Sequence, residues 1–338
     1  MNTIPLHLLP DEAYILVLLS MEIYDQLAYS LCSKNTKEAI KSLNLKKGSI
    51  KICVRNSIEL VIWFEGTVAL KCCFAYDDSF PNNQIIAREN IKVVVDSYRA
   101  PIRWESNFQN FEFKGWLHHF REVLHYPRID ELYFSGENLD DNYVEPFQTA
   151  IRGIQIRCLF IEDEPTPEFT KKALESFQNY ETLILDQIPF DSHEVHEMDK
   201  YLIQNLMSVY ISEAEEIRID QVLFSNSESV SLCLSKFSEK DINRFLKLWI
   251  RGSNPRLKYL YTMGEPLLGR DSLNMNLVLR GIKSNQIPLD SEEVHIWEMG
   301  EDDYEETQLA GGYRIWSLNG TTAVIRLLSA GQFDFIVE

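Results

Sequence analysis

The residues able to do chemistry are few, and their spacing argues against most of what they could do. His193-Glu194-Val195-His196 sets two imidazoles three residues apart, which suits one helix face and a divalent metal. The stretch lacks the five-residue His-Glu-x-x-His form and no third ligand can be named, so a capped, solvated helix start is the stronger reading. His118, His119 and His125 fall on the polar flank of an amphipathic segment and read as surface residues. Cys32, Cys53, Cys72, Cys73, Cys158 and Cys233 form no Cys-x-x-Cys pair and read as reduced thiols in a core. Cys72 and Cys73 alternate across a strand, so at most one faces inward. Gly311-Gly312 runs into Tyr313 without the later glycine or lysine that cradles a phosphate, and no Gly-x-Ser-x-Gly elbow occurs. Asp302-Asp303 lies in a solvated acidic run. No catalytic, cofactor-binding or metal-ligating residue can be named, and the expectation is a protein without enzymatic activity or cofactor.

The elements that would carry any site fall into distinct textures. Residues 1–45 read as three short helices. The first opens at Leu9-Pro10-Asp11-Glu12 with Leu16, Leu19 and Ile23 on its apolar face, the second runs from about Tyr24 to Leu31, and the third is capped by Ser33. So few residues cannot bury a self-sufficient core, so this piece must lean on a partner or on the rest of the chain. From Ile50 the period becomes two, with strands at 50–54, 59–64 and 68–74 forming a β-meander with turns at Asn56-Ser57 and Glu65-Gly66, and another strand at 91–95. Phe113, Trp116, Leu117, Phe120 and Leu124 have helical spacing.

Between about 130 and 262 strands and helices alternate, with strands expected at 131–134, 157–161, 182–185, 216–219, 231–234 and 257–261. Leu132 to Leu159 is 27 residues, Leu159 to Leu183 is 24 and Leu232 to Leu257 is 25. These steps fall in the leucine-rich-repeat range of about 20 to 29 residues, although no Asn or Cys recurs at a fixed offset. Ser238 and Asp241 form a capping box for a helix with Ile242, Phe245, Leu246, Trp249 and Ile250 on one face, stopped by Gly252. Strands return from about Pro288, with Asn319-Gly320 as a type I′ hairpin signal. The expected fold is α/β: a three-helix N-terminus, then a repeat-like array with β-meander elements at both ends.

Composition bounds the class. The chain has 338 residues, 45% hydrophobic and 25% charged, with a formal net charge of −18. It reads as one large or two modest folded domains, and the acidic balance disfavours nucleic acid. The apolar stretch Ala13 to Leu19 spans seven residues where a membrane helix needs about 20. Asp11 and Glu12 without a preceding Lys or Arg do not make a secretory signal, so a cytoplasmic or nuclear location is expected. Residues 34–55 are basic on balance. Residues 290–306 hold nine acids and no Lys or Arg, with Trp297 and Tyr304 inside the run and Trp316 beyond it. A solvated face is the plain reading of the acidic run; the functional one is a surface that recruits a basic target through these three aromatics.

The residues now quoted resemble a known family. Leu9-Pro10-Asp11-Glu12, Val17-Leu18-Leu19-Ser20 and Leu31-Cys32-Ser33-Lys34 resemble an F-box. Asp241-Ile242-Asn243-Arg244-Phe245-Leu246-Lys247-Leu248-Trp249-Ile250 and Arg251-Gly252-Ser253-Asn254-Pro255-Arg256-Leu257 look like the signature block of nematode F-box proteins with a type 2 F-box-associated domain. Gly311-Gly312-Tyr313-Arg314-Ile315 and Asn319-Gly320-Thr321-Thr322-Ala323 resemble the C-terminal block of that family. Ile23 replaces the proline that usually opens the second F-box helix, and Arg314 and Asn319 stand where acids are common. The resemblance implies an F-box at 1–45 and a target-binding region at 46–338. It implies a substrate receptor of a Skp-cullin-F-box ubiquitin ligase, partnered by the Skp adaptor, the cullin complex and an unknown protein target. Leu9, Pro10, Val17, Leu18, Leu27 and Ser33 would lie at or beside the adaptor interface. The competing reading is an interaction scaffold that works without a ligase.

Overall fold

The structure is a computed structural model that describes residues 6–45, 48–55, 57–64, 67–75, 92–94, 103–104, 113–136, 139, 144–264, 273–288, 293–298, 304–309, 311–328 and 331–338. The chain is mixed α/β and divides into two compact units, 1–180 and 181–338.

The first unit opens with helices α1 (Asp11–Ser20), α2 (Ile23–Ser30) and α3 (Lys34–Ser42). Ser33 caps α3: its Oγ accepts from Thr36 N at 3.2 Å while Thr36 Oγ1 accepts from Ser33 N at 2.9 Å. An antiparallel meander follows, β1 (Gly48–Val54), β2 (Ser57–Phe64), β3 (Thr67–Ala75), β4 (Lys92–Val94) and β5 (Arg103–Trp104). Then come α4 (Phe113–Val123), β6 (Arg128–Phe134), α5 (Val144–Ile151), β7 (Gln155–Ile161) and α6 (Pro167–Ser176). Strand β6 lies parallel to both β1 and β7. Buried Asp130 joins meander to parallel strands, because its Oδ2 accepts from Ile50 N at 2.8 Å while Tyr126 donates to its other oxygen. The core beneath is aromatic: Phe74 meets Phe113 edge-on at 5.4 Å, and Phe134 meets Phe169 at 5.3 Å and Phe177 at 5.6 Å.

In the second unit β8 (Tyr180–Gln187), β9 (Ser208–Glu213), β10 (Ser229–Leu232) and β11 (Tyr259–Thr262) run parallel, separated by α7 (Asp199–Leu202), α8 (Ile219–Phe224) and α9 (Glu239–Ile250). A short helix α10 (Met275–Val278) and strand β12 (Ser284–Ile287) follow. Strands β15 (Gly312–Trp316), β16 (Thr322–Leu327) and β17 (Phe333–Val337) extend the sheet antiparallel, in the order β12-β15-β16-β17-β11. Strands β13 (Glu293–Glu298) and β14 (Tyr304–Leu309) form a separate hairpin. Helix α9 has the expected cap: Ser238 N donates to Asp241 Oδ2 at 2.9 Å and Asp241 N donates back to Ser238 Oγ. It ends in a Schellman motif, with Gly252 at φ 101° and bonds from Gly252 N to Trp249 O and Ser253 N to Leu248 O. Its inner face meets Phe335, 5.2 Å from the Phe245 ring and 5.0 Å from the Trp249 ring.

Several expectations need correction. The segment 216–219 is not a strand. The strand lies earlier, at Ser208–Glu213, where the small polar ends of Ser-Val-Tyr-Ile-Ser-Glu hide it, and 219 begins α8. Strands β10 and β11 start two residues away from their expected positions, so Leu232 lies opposite Thr262, and Val230 opposite Leu260. The turn at Asn319-Gly320 joins β15 to β16, but only Gly320 has positive φ, at 93°. A type I′ turn needs both central residues there; here Gly320 N donates to Ser317 O at 3.1 Å and Ser317 N to Thr321 O, a wider loop. Asn56, Glu65-Gly66, Lys46, Lys47, Asp290, Glu292, Glu301, Asp302 and Asp303 lie outside the described residues. Ser238→Ala, which removes the α9 cap, is expected to lower stability by about 1 kcal/mol in urea unfolding. An unchanged midpoint would mean that tertiary packing alone fixes the helix end.

Candidate functional site

The N-terminal helices are held on α4 rather than standing free. Residues 13–19 of α1 are apolar without a break, so periodicity does not choose a buried face, and Leu16 and Leu19, expected inward, face out. Leu18 is the side chain that turns in, at 0% exposure, while Leu8 (69%), Ile15 (43%), Leu16 (67%) and Leu19 (55%) stand in solvent. Leu27 is also at 0% exposure. Gln26, buried on α2, donates to Leu18 O at 2.8 Å and Met21 O at 3.2 Å, satisfying the carbonyl end of α1. Tyr14 and Tyr29 share a hydroxyl contact at 3.2 Å, and burial together with that bond pushes Tyr14 up to about 12.

His119 departs from the expected surface position. It is buried, not a surface residue, and its Nε2 lies 2.8 Å from the buried Oγ of Ser30. Nearby, Lys37 on α3 pairs with Glu122 on α4, and His125 Nε2 lies 2.8 Å from Lys41 O. His118 is exposed as expected, 3.5 Å from Glu122. Nothing in the one-dimensional pattern marked His119, since its partner is 89 residues away. Burial, aided by the Lys37 charge, holds His119 down at about 4.

Of the residues expected at an adaptor surface, Pro10 and Ser33 are exposed, Leu9 and Val17 half-buried, and Leu18 and Leu27 internal. The exposed large apolar residues of this segment are instead Leu8, Ile15, Leu16 and Leu19. Further along, Trp297 and Tyr304 lie on the β13–β14 hairpin, opposite Glu305 and Glu298 respectively, but their side chains are outside the described residues. Trp316 is half-buried on β15, opposite Thr322. His196 Nδ1 contacts His193 O at 3.2 Å and Nε2 approaches Glu197 at 3.3 Å, and among the described residues no group of three or more His, Cys, Asp or Glu could hold a metal ion. All six cysteines are free; Cys53, Cys72 and Cys233 are buried, Cys73 and Cys158 half-buried and Cys32 exposed.

Comparison with known proteins is consistent with this division. Residues 6–48 match the family model for the F-box domain, and 197–262 match that for the F-box associated domain. The chain carries an F-box and an F-box-associated domain. The F-box associated domain-containing protein sdz-33 of Caenorhabditis elegans is 24% identical over 267 residues, covering 76% of this chain and 77% of that protein. No solved structure matches. No helix among the described residues is long and apolar enough to cross a membrane.

The F-box-associated match contains the polar residues that tie this unit together. Asn254, buried at φ 52°, donates from Nδ2 to Val222 O and Ser225 O, both at 2.9 Å, closing the end of α8. Asn243 likewise donates to Val278 O at 2.7 Å and Arg280 O at 3.0 Å beside α10. Arg244 pairs with Asp220 at 2.8 Å and Arg256 with Glu228 at 3.1 Å. The signature block is thus a set of helix ends fastened by side chains.

Because His119 is held neutral, the unfolded chain takes up its proton first as pH falls. Stability should therefore fall from about pH 6.5 toward 4, with a slope bounded by about 1.4 kcal/mol per pH unit for one proton. Thermal unfolding of the wild type and of His119→Gln across this range is expected to show a shallower fall in the variant, and parallel curves would remove His119 from the account.

Proposed function

We propose that this protein is the non-catalytic substrate-recognition subunit of a Skp-cullin-F-box ubiquitin ligase, with the F-box at 1–45 and the target-binding region at 46–338. The observation that carries the reading is the set Leu8, Ile15, Leu16 and Leu19, solvent-exposed on an F-box whose Leu18, Leu27 and Ile40 are buried in its own support. Association is driven by a desolvated apolar centre within a polar rim, and this set with Leu9, Pro10 and Val17 supplies one for the Skp adaptor. Leu18 and Leu27 act from behind by fixing the helices, and Ser33 by capping α3. Rate would come from proximity, the receptor holding a target lysine near a charged conjugating enzyme elsewhere in the complex. Trp297, Tyr304 and Trp316 are candidates for target contact beside the acidic run.

The alternation between 130 and 262 supports a leucine-rich-repeat-like reading of the presenting surface. Leu132 lies opposite Leu159, Leu183 opposite Val209 and Val209 opposite Val230, steps of 27, 26 and 21 residues within the repeat range, while Val230 opposite Leu260 is a longer step of 30. A scaffold acting without a ligase would share this surface and differ only at the F-box.

The deciding experiment is a titration of purified Skp adaptor against the full chain and against Leu16→Asp, Leu19→Asp. Both side chains are exposed, so the double variant should keep its circular dichroism and unfolding midpoint while losing adaptor affinity at least a hundredfold. Leu18→Ala, by contrast, should cost about 2–5 kcal/mol of stability because it empties a core position. No adaptor binding by the folded wild type would retire the ligase role and leave the scaffold.

A further inference from the structure

The second unit buries one face of its parallel strands fully and the other only in part, whereas helices normally cover both faces of such sheets. Leu183, Leu185, Val209, Ile211, Val230, Leu232 and Leu260 are buried on one face. The alternate residues Thr182, Ile184, Ser208, Ser229, Ser231, Tyr259 and Tyr261 are only half-buried, and Tyr210 is 36% exposed.

On that face the register places Ile184 opposite Tyr210, Tyr210 opposite Ser231 and Ser231 opposite Tyr261. Neighbouring strands are about 4.8 Å apart, so the two tyrosines stand on strands about 9.6 Å apart with a small serine between them. Ser229 and Ser231 lie along β10 with Tyr210 on one side and Tyr261 on the other, while Tyr259, stacked on Tyr261 at 6.5 Å, packs against the buried Ile287, Val324 and Ile336. Cys233 Sγ contacts Tyr210 Oη at 3.5 Å and Tyr261 Oη contacts Met263 Sδ at 3.5 Å, which anchor the outer ends of the rings. The surroundings are acidic: residues 181–236 hold eleven Asp and Glu against three Lys and Arg, with Asp186 and Glu213 at the strand ends. The base placed on this row is Arg326, which lies opposite Asp334 two strands beyond Tyr261.

The first unit shows what such a ring accepts. Tyr133 on β6 carries Lys51 Nζ at 4.9 Å and Arg55 Cζ at 5.3 Å over its ring, with Lys51 paired to Glu131. A ring with cations over it and carboxylates beside it is complete there. Among the described residues no Lys or Arg lies over the Tyr210 or Tyr261 ring. We propose that the tyrosine-flanked serine strip of β10 binds an extended, lysine- or arginine-bearing segment of the target protein, its cations over Tyr210 and Tyr261 and its backbone over the serines. This deepens the receptor reading and rests on its target-binding half.

The test is fluorescence anisotropy of the full chain with a labelled peptide of alternating lysine and serine, against its glutamate counterpart. The lysine peptide should bind and the glutamate peptide should not. Tyr210→Ala with Tyr261→Ala should weaken binding about five- to thirtyfold, while Tyr210→Phe with Tyr261→Phe stays within about threefold of wild type. Circular dichroism and retained adaptor binding verify that the variants are folded. Equal binding by the alanine variant would mean that net charge alone holds the peptide, and would overturn the proposal. Concentration-dependent dimerisation lost in the alanine variant, without peptide binding, would assign the face to a second copy and overturn it equally. Loss of adaptor binding with the peptide still held would retire the ligase and leave the peptide site, so the two readings fail separately.

Discussion

An F-box of this size has no interior of its own, and the contact that supplies one is the buried meeting of Ser30 and His119. A hydroxyl and an imidazole lose water when helix α2 closes on α4, and each replaces it with the other at 2.8 Å. Around that bond the neighbouring contacts are consistent: Leu18 and Leu27 fill the space, Gln26 closes α1, and Lys37 and His125 join α3 to α4 at the rim. With those inward positions taken, Ile15, Leu16 and Leu19 on α1 are left in solvent.

The parallel strands follow a different rule. Helices cover one side, and two of their ends are fastened by side-chain amides, the buried Asn254 serving α8 and the half-buried Asn243 serving α10. Such fastening lets the other side stay polar and half-exposed without fraying, since the backbone groups are satisfied in the ladder and at the caps. A sheet built this way can present side chains from several strands in fixed register, and rigid presentation lowers the entropy lost on binding.

The sequence was legible where local chemistry dictates structure. The Ser238–Asp241 box, the Gly252 stop, the meander and the helix from Phe113 follow from spacing and capping, and the paired leucines at 132 and 159 do lie opposite one another. It was illegible where partners are distant. His119 reads as polar-flank surface until Ser30 is brought to it, α1 is too uniformly apolar to declare a face, and β9 begins and ends in serine and glutamate that mimic a loop. Of the residues the motif marked, Leu18 and Leu27 are buried while Ile15, Leu16 and Leu19 stand in solvent, because an apolar side chain looks the same in a sequence whether it faces a core or water.

The exposed apolar residues on and just before α1 also bear on how the chain behaves before any partner arrives. Four large apolar side chains in solvent would ordinarily make copies adhere to one another. The net charge of −18 opposes this, since every encounter between copies brings like charges together at a range of about 8–10 Å in physiological salt. The acidity of the chain thus works as a colloidal brake: it keeps a sticky helix apart from its own kind.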